Sequence, residues 1–128
     1  MRAIVVFFAV FFLAGCASGP TPAEIAAIDY GHPIDQQVAE RQAAAYLGRI
    51  LKDPGSAHVS FGKVYQGYYT SAPIHGSKIS AGYMIEAMVN AKNSYGGYTG
   101  AKPYRFLFRD GKLTNAWKVS PSGRVIQI

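Results

Sequence analysis

The residues able to do chemistry are few and scattered. His32, His58 and His75 stand alone in loop-like or strand-edge contexts, and their spacings fit no metal-ligand pattern. Ser, His and Asp all occur, but no G-x-S-x-G elbow presents a nucleophile. "GGYTG" at 96–100 lacks the lysine and the following helix of a phosphate-cradling loop. Cys16 is the only cysteine, so the chain can form no internal disulfide. Glu86 is the one acidic residue inside a strong strand pattern, and alternation places it opposite the apolar side, facing solvent. These residues predict a non-enzymatic protein with no metal and no cofactor.

Binding has better candidates than catalysis. Residues 90–100, "NAKNSYGGYTG", combine backbone amides with Asn90, Lys92, Asn93, Tyr95 and Tyr98. Tyrosine faces and amide side chains suit a sugar ring or a peptide, because each offers apolar contact with a polar tip. The same composition also suits a purely structural turn, since Asn tolerates left-handed geometry and Gly adopts positive φ without steric cost. Both readings stand at this level. A second candidate is a basic surface of Arg105, Arg109 and Lys112. Like charges on neighbouring strands cost stability, and an anionic partner or solvent must compensate them.

The elements that position these residues follow from periodicity. Residues 35–51, "DQQVAERQAAAYLGRIL", form the strongest helix pattern, with Asp35 as N-cap. Ala39, Ala43, Tyr46, Leu47, Ile50 and Leu51 share its apolar face. Gly48 weakens the helix and is expected to permit close packing. Pro54 and Gly55 end it. Strands follow: "HVSFGKVYQGYY" from His58, with Gly62 and Gly67 as bulge or close-approach positions, then "ISAGYMIEAMVN" from Ile79. Asp110-Gly111 is the favoured type I′ hairpin turn. Closing the hairpin there pairs Arg109 with Lys112 and Phe108 with Leu113. In unbroken register, Phe106 faces Asn115 and Tyr104 faces Trp117. One face then collects Tyr104, Phe106, Phe108, Leu113 and Trp117, and the other Arg105, Leu107, Arg109, Lys112, Thr114 and Ala116. "SPSG" at 120–123 turns into a last strand. The expected fold is α+β: an N-terminal helix packed on a small, mainly antiparallel sheet of about five strands.

The chain begins with Arg2 and an apolar run from Ile4 to Leu13, too short to span a bilayer and of the length of a signal-peptide core. The run ends in "LAGC", Leu13 to Cys16, which resembles the bacterial lipobox. That resemblance implies cleavage before Cys16 and diacylation of its thiol with palmitate-type chains. Ala17, where inner-membrane retention uses Asp, implies the outer membrane. The expected organisation is a lipoprotein signal peptide at 1–15, a lipidated tether at 16–28 and a single domain at 29–128, reached through the Pro/Gly/Ala-rich "ASGPTPA". Loss of Arg2 with the leader lowers the net charge from +6 to +5. The basic residues are dispersed along the sequence, which argues against nucleic acid as a partner.

Three phrases carry a second resemblance: "DYGHP" at 29–33, "LKDPGSA" at 51–57 and "VNAKNSYGGYTG" at 89–100, with "PYRFLFRDGKL" behind them. In this order they resemble a family of small proteobacterial lipoproteins and exported proteins, with DYG, KDP-S and NAKNS-[FY]-GGY-[TV]-G motifs over about residues 28–113. The resemblance implies no catalytic residue and no substrate. The strand "MIEAM" here has no cysteine where relatives often carry one, which argues against thiol chemistry.

The expectation is therefore an outer-membrane lipoprotein facing the periplasm or the cell surface, held to the membrane at Cys16. It would be a structural or interaction component of the envelope, meeting an envelope protein or glycan. The alternatives are a glycan- or peptide-binding module that uses the 90–100 loop, and a hydrolase inhibitor. Cys16→Ser is expected to abolish lipid labelling and move the protein from the membrane to the soluble fraction; unchanged fractionation contradicts the anchor.

Overall fold

The computed structural model describes residues 19–128. The expected signal peptide, the lipobox-like "LAGC" and Cys16 lie outside the described residues. The fold is α+β, a six-stranded antiparallel sheet with a helix on one face. The elements are α1 (Pro22–Ala26), α2 (Gln36–Ile50), β1 (His58–Phe61), β2 (Tyr65–Thr70), β3 (Ile79–Asn90), β4 (Lys102–Arg109), β5 (Lys112–Val119) and β6 (Val125–Gln127). No helix among the described residues is long and apolar enough to cross a membrane.

Local chemistry explains the helices. Thr21 and Glu24 form a capping box and Pro22 opens α1, within the segment read as a tether. The long helix is therefore second in the chain. Asp35 caps it, its Oδ1 accepting from the backbone N–H of Gln37 at 2.9 Å and of Val38 at 3.3 Å. Ala39, Ala43 and Leu47 are buried against Ile85, Ala87, Val89, Tyr104, Phe106 and Phe108, with Tyr46 and Leu51 half-buried beside them. Two alanines let the helix axis come close to the sheet. Ile50, expected on the apolar face, is exposed because α2 ends there while the sheet runs on.

Six strands appear where five were expected because the first one breaks. β1 and β2 both pair with the long strand β3, separated by Gly62, Lys63 and Val64. Gln36 patches the break: its Nε2 donates to Gly62 O (2.9 Å) and its Oε1 accepts from Val64 N–H (2.9 Å). Gln42, six residues along the same helix, treats the hairpin likewise. Its Nε2 donates to Gly111 O (2.7 Å) and its Oε1 accepts from Leu113 N–H (3.1 Å). Each primary amide supplies a donor and an acceptor where the ladder has lost its own.

The Asp110-Gly111 turn forms as expected, with φ of 49° and 77° at its two residues. The hairpin register beyond it differs from expectation. Arg109 pairs with Lys112 and Phe108 with Leu113, but Leu107 pairs with Asn115, Phe106 with Ala116 and Tyr104 with Lys118. Thr114 is the extra residue of a β-bulge, and its hydroxyl donates to Leu107 O at 3.1 Å. The slip turns Trp117 to the face opposite α2, where it is buried with Met84 and Leu107 under Tyr69. The Tyr69 and Trp117 ring centres are 5.0 Å apart although β3 and β4 separate their strands, so the sheet curls around this second core.

Gly48 does not serve close packing: no atom lies within 4 Å of where its Cβ would be. Gly48→Ala is therefore expected to raise stability by about 1 kcal/mol, read as a higher urea midpoint with unchanged m-value. A lower midpoint would contradict this placement of α2.

Candidate functional site

The 90–100 loop starts where β3 ends and is held by its own side chains. Asn93 Oδ1 accepts from the N–H of Tyr95 (2.9 Å) and of Gly97 (3.1 Å), and Asn93 N–H donates to Gly97 O (2.8 Å). Gly96 and Gly100 take φ of 79° and 88°, which explains their identity at these two bends. A lone bridge pairs Lys92 with Tyr98. The loop is also tied to the rest of the domain. Tyr98 Oη donates to Ser56 O at 2.9 Å and its ring stacks on His58, with centroids 5.1 Å apart. Lys52 Nζ donates to Ser94 Oγ at 2.5 Å.

This geometry separates the two tyrosines. Tyr98 is a structural strut. Tyr95, 96% exposed, is held out at the loop tip by the Asn93 turn beneath it. Asn90, the last residue of β3, does not line the groove formed behind the loop. Its buried Oδ1 has no hydrogen-bond partner. Lys92, Asn93 and Tyr95 do line that groove.

The groove has a volume of about 350 Å³ and lies where α2 stops short of the sheet's end. Its floor is Val89 and Tyr104, one wall is the end of α2 at Ile50 to Lys52, and the other is the loop. Lys102 pairs with Val89 and Lys118 with Tyr104, so both lysines stand on the α2 side of the sheet. Lys52, Lys92, Lys102 and Lys118 thus surround one concavity whose lining contains no carboxylate. Lys118 Nζ sits 5.9 Å from the Tyr104 ring centre and Lys92 Nζ 5.4 Å from that of Tyr98. Burial raises the Tyr104 hydroxyl above its usual value, so the phenol under this groove remains neutral.

Lys52, Lys102 and Lys118 were not singled out by sequence. They are far apart in the chain, and Lys118 reaches this face only through the Thr114 bulge. The basic surface expected at Arg105, Arg109 and Lys112 is largely neutralised. Arg105 Nη2 lies 2.8 Å from Glu86 Oε1. Arg109 pairs with Asp29 at 2.8 Å and donates to the carbonyls of Asp29 and Ala81. Lys112 is exposed. A larger cleft of about 640 Å³ lies between α1 and the hairpin, but its charged groups are already engaged, Glu24 with Thr21 and Asp29 with Arg109.

The histidines are dispersed in space as in sequence. His32 bonds Asp110, His58 stacks on Tyr98, and His75 lies in the loop before β3. No group of three or more His, Cys, Asp or Glu among the described residues could hold a metal ion.

No family model, no curated protein and no solved structure matches this chain.

The segment Asp29 to His32 docks on the hairpin through two carboxylates. The Gly31 N–H, then Arg109, lowers Asp29 below its ordinary 3.8; the His32 N–H, then the His32 ring, lowers Asp110 likewise. Folded values below the unfolded one mean that this contribution is complete above the ordinary value and disappears as pH falls through the depressed one. The Asp29 and Asp110 side-chain carboxyl carbon resonances are therefore expected to titrate below the ordinary 3.8. Titration of both at or above that value would contradict the docking.

Proposed function

We propose that the protein is a non-enzymatic, lipid-anchored module of the outer-membrane envelope, with its domain on the periplasmic face, and that it meets its envelope partner through the 90–100 loop and the groove behind it. One observation carries this reading. Tyr95 presents a whole aromatic ring to water on a loop that is cross-braced at Asn93, Ser94 and Tyr98. An exposed aromatic on a flexible tail costs little, but a braced loop gains nothing in folding from holding one outward. Rigid aromatic side chains on fixed loops are efficient contact surfaces, because little conformational entropy is lost on binding. The dispersed histidines support a binding role over a catalytic one, and the "LAGC" segment supports the anchor.

A photo-crosslinking residue placed at position 95 tests this in intact cells. Ile74, 87% exposed on a different loop, is the matched control. A discrete adduct is expected from position 95 and not from position 74. Equal labelling at both sites, or none at 95, would remove the loop as the recognition element.

A further inference from the structure

We propose that the lysine groove at the end of α2 binds a phosphate ester. The inference rests on the reading of the 90–100 loop as a recognition element and adds the chemistry of what it recognises.

Charge placement leads to this class of ligand. The chain has seven acidic residues, and six are placed away from the groove or committed elsewhere. Glu24 completes the α1 capping box, Asp29 and Asp110 dock the Asp29–His32 segment on the hairpin, and Asp35 caps α2. Glu40 accepts from Gln36, and Glu86 pairs with Arg105. The seventh, Asp53, is exposed next to Lys52 and does not line the groove. Among the described residues, none of Lys52, Lys92, Lys102 and Lys118 forms an ion pair. Lys92, Lys102 and Lys118 are nonetheless half-buried. Four like charges around one low-dielectric concavity focus a positive potential there, and an anion relieves their mutual repulsion. The carboxyl end of a helix would by itself repel an anion; Lys52, one residue past the cap at Leu51, offsets it.

The residue types narrow the anion. All four cations are lysines, compact point charges with three donors each, which can meet the tetrahedral oxygens of a phosphate from several directions. Ser94 and Asn93 add neutral donors, while the Thr99 hydroxyl is given to Ala91 O. Tyr95 at the rim offers a ring face to the group the phosphate esterifies. The volume admits a sugar phosphate or a lipid headgroup, and both sources share this chemistry.

The test uses the mature lipid-anchored chain in polyoxyethylene detergent micelles, which carry neither phosphate nor sugar, followed through its backbone amide resonances. Glucose 1-phosphate is added in one arm, and phosphatidylglycerol is mixed into the micelles in another. Glucose and acetate are the controls. The expected result is movement of the 92–99 and Lys102 amides in at least one phosphate arm and in neither control, weakening with salt. A response to the sugar phosphate identifies a soluble source, and a response to phosphatidylglycerol alone identifies the membrane. Lys102→Gln with Lys118→Gln, which keeps side-chain length and removes charge, should weaken binding roughly tenfold or more, with the remaining spectrum unchanged. Lys112→Gln, which removes an exposed lysine outside the groove, should leave the phosphate-induced shifts of Lys102 in place. No response to either phosphate source, or an equal response to acetate, overturns the proposal. Crosslinking at position 95 combined with no phosphate response would retain the recognition loop and reject the phosphate.

Discussion

One extra residue in β5 decides what both faces of the sheet become. Side chains alternate along a strand, so Thr114 at the bulge reverses every residue after it relative to β4. Trp117 therefore enters the second core with Met84 and Leu107, and Lys118 comes to stand beside Tyr104 on the α2 side. Without the bulge Trp117, the largest aromatic, would lie on the α2 face and Lys118 on the opposite one. The bulge is held from both sides of the strand. The Thr114 hydroxyl bonds Leu107 O, and the Gln42 amide takes up Leu113 N–H and Gly111 O.

The helix fixes where the groove lies. Ala39 and Ala43 bring α2 close, and the Gln36 and Gln42 amides set its position along the sheet by grasping backbone at two irregular points. α2 then ends at Ile50, short of the far end of β3 and β4. The strip of sheet face beyond it has Val89 and Tyr104 as its floor. Lys102 and Lys118 occupy it, and the braced loop walls it. Carboxylates serve caps, the Asp29–His32 segment and strand pairs elsewhere, so charge becomes segregated along the domain although it is dispersed along the chain.

Much of this fold was legible in the sequence. Asp35 and the alanine-rich periodicity identified α2, and Asp110-Gly111 identified the hairpin, because each depends on local geometry. Alternation in "ISAGYMIEAMVN" put Glu86 opposite the apolar side, in solvent, where it pairs with Arg105, while Tyr83, Ile85, Ala87 and Val89 pack with α2. The bulge was not legible. Thr114 is an ordinary strand residue, and the slip is tied to tertiary packing, with Ala116 in the α2 core and Trp117 on the opposite face. The split between β1 and β2 is repaired by a glutamine 26 residues upstream of the gap at Gly62, a non-local interaction. Asn90, Lys92, Asn93, Tyr95 and Tyr98 drew notice as one motif, but their division into strut, wall and exposed tip depends on Ser56, His58 and Lys52. The lysine cluster has no sequence signature, since its members come from a helix end, a loop and two strands.

The register of the hairpin is the most direct measure of this account, because both the second core and the groove follow from it. Cross-strand nuclear Overhauser contacts between backbone protons of β4 and β5 read it without substitution. The bulged register predicts contacts pairing Tyr104 with Lys118 and Phe106 with Ala116. Contacts pairing Tyr104 with Trp117 and Phe106 with Asn115 would return Lys118 to the opposite face and contradict it.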